Sequence, residues 1–278
     1  MGQEFYMTLV SNNTTDAMNT IALFDTQLFK TYELDDFWYV GLAEISYTKS
    51  WFNLRKDATV MLVDEKQVMY PSQKVLKAGY YKNESDLAFQ INDIIKHIPG
   101  DIAVKPAIDF DIYSRRTLVS NGYTNTEVQL YPWLSDELSE MLGVKFQGPE
   151  ETSTIDEHGV MQMNTIKAGL ISFRSYDICA GIHSLYVYCD IIEPSFVGDT
   201  FSNVIRSVNI NQEELFGKDC ESIFNPIQYH KLSRSRFQRI SIGLYDDAGE
   251  LIPFKFGRTK VVLHFLRNGE GMGRGILS

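Results

Sequence analysis

Carboxylates gather in two short stretches of this chain, "CDIIEPSFVGD" and "GLYDDAGELIPF", and each invites a divalent cation or an acid–base pair. In the second, Asp246, Asp247 and Glu250 do not match the twelve-residue calcium loop, whose ligands fall at alternate positions and end in a Glu. Gly249 supplies a φ > 0 position, and Asp246 and Asp247 can accept hydrogen bonds from the amides around it. They read as turn-makers. In the first, Asp190 and Glu193 are three residues apart in an extended chain, so they face opposite sides and do not converge on a substrate. Pro194 ends the strand, and Asp199 lies beyond it.

Sulfur and imidazole offer no better centre. Cys179, His183 and Cys189 form a C-x3-H-x5-C run, but structural zinc takes four ligands and no second pair is present. Cys220 and His230 can be written as a thiol–imidazole couple, yet nothing in the sequence supplies the group that would orient the ring. Phosphate-loop, dinucleotide, metalloprotease and nucleophile-elbow motifs are all missing. No catalytic residue, cofactor or metal is therefore expected.

One basic strip stands out. "KLSRSRFQR" places Lys231, Arg234, Arg236 and Arg239 around Phe237. At alternate positions, Arg234 and Arg236 share one strand face, where they can meet acids of a neighbouring subunit or a phosphate backbone. The four are a candidate subunit or interior contact, against the plainer reading of a solvated strand face.

The body that must hold these groups is large enough for a core of its own: 278 residues, 44% hydrophobic. A 13% aromatic content favours pleated sheet. The net charge of −10 argues against strong nucleic-acid binding. Three irregularly spaced cysteines suit a reducing, intracellular setting. The N-terminus has neither basic nor apolar signal regions, and no run of 18 apolar residues would span a bilayer.

Strand patterns follow one another: "TIALFDTQLF", "FWYVGLAEISYTKSWFNL" and "ATVMLVDEKQVMY" early, then "SLYVYCDII", "FSNVIRSVNI", "IQYHKL", "RISIGLYD" and "TKVVLHFL". Two helices interrupt them. Leu87, Ile91, Ile94, Ile95 and Ile98 recur at helical spacing behind the cap Asn83, and "SDELSEMLG" begins at the cap Ser135 and stops at Gly143. Strands do not alternate with helices, so the class is all-β: a β-sandwich or jelly roll with a middle elaboration carrying two short helices. The expected plan is a flexible N-terminal arm over 1–19, a sandwich or jelly-roll body over 20–267 with the elaboration within about 84–183, and a flexible Gly-rich tail over 268–278. The segment 146–159 reads as an exposed acidic loop. Sandwich strands are expected near 20–70 and 184–267.

The run "SLYVYCDIIEPSFVGDT" at 184–200, followed by "FNPIQYHKLSRSRFQRISIGLYDDAGELIPFKFGRTKVVLHFLR" at 224–267, resembles the minor capsid (penton) proteins of Polinton/Maverick elements and their adintovirus relatives. "WYVGLAEISYTKSWFNL" at 38–54 and "GYYKNESDLAFQIND" at 79–93 resemble the same family's early strand and following helix. The resemblance implies that the fold is a single jelly-roll β-sandwich, and that the chain is a structural protein without enzymatic activity or cofactor. It implies a homopentamer at the five-fold vertex of an icosahedral shell, assembled in the host cell beside a double jelly-roll major capsid protein. The arm would then strap neighbouring shell proteins. The rival is a carbohydrate- or receptor-binding β-sandwich, in which "LYPWL" at 130–134 stacks on a sugar; the plainer expectation for Trp133 is a buried anchor before the second helix.

Overall fold

The computed structural model describes residues 3–11, 20–64, 68–144 and 171–267. The rest of the arm, the acidic loop and the Gly-rich tail lie outside the described residues. The chain divides into two compact units, one within residues 1–51 and 181–278, the other within 52–180.

In chain order, the first unit opens with β1 (Glu4–Val10), β2 (Leu23–Glu33) and β3 (Trp38–Thr48). The second holds β4 (Val60–Asp64), β5 (Met69–Pro71), α1 (Glu84–Lys96), β6 (Ile102–Val104), β7 (Ile108–Asp111), β8 (Arg116–Val119), β9 (Tyr123–Thr124), β10 (Leu130–Leu134), α2 (Asp136–Met141) and β11 (Ile171–Ser175). The first then resumes with β12 (Ser184–Cys189), β13 (Ser195–Val197), β14 (Thr200–Ser202), β15 (Val204–Asn209), β16 (Asp219–Ile223), β17 (Tyr229–Lys231), β18 (Arg236–Tyr245) and β19 (Thr259–Arg267).

Two sheets make the sandwich, ordered β1-β19-β3-β16 and β15-β12-β18-β2, with β17 continuing beside β3 where β16 leaves off. Counting β16 and β17 as one interrupted strand and setting aside the β13–β14 hairpin, eight strands remain. Their sheet orders are first-eighth-third-sixth and fifth-fourth-seventh-second, with every pairing antiparallel. First lies beside eighth, second beside seventh, third beside sixth and fourth beside fifth. That is one long hairpin wrapped into two sheets, which defines a jelly roll. The inserted unit joins the third strand to the fourth.

Period-two alternation fills the space between the sheets. Ile240, Ile242 and Leu244 of β18, Val261, Leu263 and Phe265 of β19, and Leu185, Val187 and Cys189 of β12 are all fully buried in one cluster. Phe265 stacks on Phe5 at 4.6 Å between ring centroids, and Phe237 follows at 6.1 Å. Each such side chain contributes about 1.5–3 kcal/mol on leaving water.

Two expectations about boundaries change. Residues 4–10 fall within the expected arm, but they pair along their whole length with β19, because Phe5, Met7 and Leu9 alternate with Glu4, Tyr6 and Thr8. The elaboration begins well before residue 84: Val60 and Leu62 of β4 join Leu130, Leu134, Leu87 and Ile91 in a second core, so β4 and β5 belong to the inserted unit.

Within that unit α1 follows its sequence pattern. The Asn83 side chain accepts from the Asp86 amide at 2.9 Å, and Leu87, Ile91, Ile94 and Ile95 form its buried stripe. Ser135 precedes α2 but makes no side-chain cap; its hydroxyl oxygen accepts from the Thr59 amide at 3.3 Å instead. Gly143 sits at φ +67, with the Arg174 carbonyl where a Cβ would be. Trp133 is half-buried rather than an anchor, because Leu130, Pro132 and Leu134 take the buried face of β10 and leave Tyr131 and Trp133 on the other. No helix among the described residues is long and apolar enough to cross a membrane.

Candidate interaction surface

The basic strip spans the end of β17, the turn after it and the start of β18. Arg234 lies in the turn, so it does not share a strand face with Arg236 as its spacing suggested. Each of the four cations meets a carboxylate of the same chain: Lys231 meets Glu193 at 3.2 Å, Arg236 meets Glu33 at 3.3 Å, Arg234 pairs with Asp190 and Arg239 with Asp25. Ser241 links two of these pairs, its amide donating to Asp190 at 2.8 Å and its hydroxyl to Asp25. The three arginines line a shallow polar cleft of about 470 Å³ with Gln27, Asp190, Gln238 and Ser241.

This arrangement is self-neutralised, and a phosphate would have to compete with carboxylates already in place. Exposed ion pairs of this kind add little stability in water. Their cross-strand layout does fix which groups a partner would meet. Asp25 and Glu33, which complete the strip, gave no signal in the sequence because they belong to β2, some two hundred residues from the arginines.

Elsewhere the outer sheet positions carry similar pairs. The Lys260 ammonium beside Glu44 holds that carboxyl below its usual range and is itself pushed up. The Arg267 guanidinium, with its Nε 3.0 Å from Asp35 Oδ2, lowers the Asp35 carboxyl and ties the β2–β3 turn to the end of β19.

The carboxylates after β18 shape a turn. Asp246 Oδ1 accepts from the Ala248 and Glu250 amides at 3.0 and 2.9 Å, and its own amide donates to the Glu250 carbonyl at 2.8 Å. Gly249 takes φ +80. Asp247 accepts from the His183 and Ser184 amides at 2.8 and 3.1 Å, fastening the turn to the start of β12. Glu250 takes part through its backbone. Replacing the buried Asp246 with Ala is therefore expected to cost about 1–3 kcal/mol by removing the carboxylate that two turn amides bond to, whereas Glu250→Ala stays within about 0.5 kcal/mol. Denaturant melts of the two variants side by side check this.

Cys189, Cys220 and His230 stand on three different strands. Cys189 is fully buried in the sandwich core, and burial pushes its thiol up to about 12. Cys220 pairs opposite Tyr47 and His230 opposite Val40, seven residues apart along β3 and so separated by about 23 Å. Burial also raises the Cys220 thiol and lowers the His230 imidazole. The His230 ring, through Nε2, contacts the Ile205 carbonyl at 3.0 Å.

No protein-family model matches the chain, and no curated protein matches it. Among solved structures, the crystal structure of selenomethionine-labelled mavirus penton protein is similar, at 12% sequence identity and a TM-score of 0.47, over 95% of this chain and 99% of that one. The jelly-roll assignment rests on the strand order and register above.

Two residues that sequence reasoning passed over hold the surface loops in place. Lys49 is buried under the loop after β15, and Gly41 lies beneath the break between β16 and β17.

Proposed function

We propose that the chain is a structural minor capsid (penton) protein of a Polinton/Maverick-type element. Five copies form the vertex of an icosahedral shell, next to a double jelly-roll major capsid protein, and the protein resides in the virion. The observation that carries the reading is where the family-like sequence falls. Residues 184–200 and 224–267 contain β12, β17, β18 and β19, and the complete roll they close has the architecture that viral capsid subunits share with lectins.

In this reading the chain acts by assembly rather than chemistry. Lys231, Arg234, Arg236 and Arg239, with their carboxylates, make a polar contact at a subunit rim, where charges belong, instead of a grip on packaged nucleic acid.

The test is mass and shape. Sedimentation of the purified chain, with negative-stain imaging, is expected to give rings of five. A monomer at the highest soluble concentration, or a two-fold particle, overturns the homopentamer; a monomer that instead retains immobilised glycans favours the attachment reading.

A further inference from the structure

Resting on that vertex reading, we propose that the β13–β14 hairpin of one copy docks on the β2 bulge of the next. The hairpin carries a cross-strand pair, Phe196 opposite Phe201, with ring centroids 3.9 Å apart and exposures of 73% and 64%. Asp199 projects at its turn beside Gly198, which takes φ +61. A two-stranded hairpin is marginal by itself in water, and a bare aromatic pair gains most by being covered.

The complementary feature lies on β2. Against β18, Tyr32 stands opposite Phe237 and Gln27 opposite Arg239, so residues 28–31 bulge where the partner strand has only Gln238. Leu28 remains in the core, while Phe29 is thrown outward to 87% exposure. The Lys30 ammonium sits 5.7 Å from the Phe29 ring centroid and 4.9 Å from that of Tyr32. One surface thus presents two phenylalanines and a negative charge, and the other a phenylalanine and a positive charge.

Topology sets them up as head and tail. β2 is one edge of its sheet, and the hairpin lies in the connection from β12 to β15, the opposite edge. Three strand spacings, about 14 Å, separate the edges. Both patches also lie toward one end of the sheet: β12 ends at Cys189 opposite Ile242, and the β2 bulge continues past Arg239 in that same direction. Rotation about an axis parallel to the strands preserves this level, so patches toward one end on opposite edges meet when copies are related by such a cyclic axis. The contact is heterologous and closes into a ring. Its aromatic anchors supply affinity, and the Asp199–Lys30 pair sets register.

Sedimentation equilibrium of the full chain tests this, with thermal melts to verify folding. Phe29→Ser, or Phe196→Ser with Phe201→Ser, is expected to weaken ring formation about tenfold or more. Asp199→Lys and Lys30→Asp are each expected to weaken it as well, while the two combined restore it to within about threefold of the original. Since all these side chains are exposed, a folding defect would be separate and visible in the melt, and the charge swap stands independently of the aromatic variants. Wild-type rings that persist unchanged in every variant overturn the interface and leave the vertex reading standing. A wild-type chain that stays monomeric overturns both.

Discussion

Lys49→Met is expected to lower the stability of the sandwich by about 3 kcal/mol, a fall of roughly 6–12 °C in melting temperature for a unit of this size. Lys49 follows the last residue of β3 and is only 3% exposed. Its ammonium donates to the carbonyls of Glu214, Asn211 and Gln212 at 2.8, 3.3 and 3.5 Å. Backbone bonds reinforce the wrap: the Lys49 amide donates to Lys218 O at 2.9 Å, and the Gly217 amide to Lys49 O at 2.7 Å. The loop from 211 to 218 is therefore folded around one buried cation. Methionine keeps the stem but leaves three carbonyls facing a thioether, and each charge-assisted bond is worth about 1.5–3 kcal/mol. Amide exchange in residues 211–218 should accelerate before the rest of the sandwich does. A variant that melts within about 2 °C of the original, with that loop still protected, would show that the ammonium does not organise it.

The contrast between Lys49 and the strands around it marks how far the sequence is readable. β12, β18 and β19 write their register plainly, because a strand with one face in the core alternates apolar and polar residues, and Ile240, Ile242 and Leu244 fall on the face their spacing indicated. α1 is as clear, down to its cap. β1 carries the same alternation in seven residues, but the polar run after it makes the whole segment read as an arm. β16, "DCESI", carries no such signal: one face is exposed and includes Ile223, the other is only half-buried, and only its pairing with β3 makes it a strand. The split between two cores was hidden for another reason. Val60 and Leu62 are equally apolar whichever core they enter, and only long-range packing decides. The basic strip was visible as composition, but its neutralisation by Asp25 and Glu33 depends on pairing β2 with β18. Lys49 reads in sequence as one more surface lysine, since nothing local shows that a loop more than 160 residues later will close over it.

Gly41→Val is expected to cost about 3 kcal/mol or more, and Gly41→Ala about 1–3 kcal/mol, because the chain that would have to move is backbone. Gly41 lies mid-strand in β3, where β16 has ended and β17 is beginning. A Cβ there would stand 2.4 Å from the Gln228 carbonyl oxygen and 2.5 Å from Ile227 Cγ2. Phe224 still bonds to Ala43 O and Tyr229 is already opposite Gly41, so four residues bulge over one position of β3. Without a side chain at 41, Tyr229 also reaches across to His264, hydroxyl to Nδ1 at 2.7 Å. The bulge in turn closes one flank of the sandwich. Arg206 of the edge strand β15 lies over the Phe224 ring at 4.1 Å and donates to Pro226 O at 3.4 Å, while His230 meets the Ile205 carbonyl. Lifting the bulge would release these contacts together and bare two sheet edges, which are templates for unwanted pairing. Gly41→Ala should therefore lower the melting temperature and raise aggregation at once. Gly79→Ala serves as the control, since the nearest atom to a Cβ there is Lys77 O at 3.8 Å, and it should stay within about 0.5 kcal/mol of the original. Equal melts for the two variants would mean that the bulge yields freely and that the flank is held by something other than its seat on Gly41.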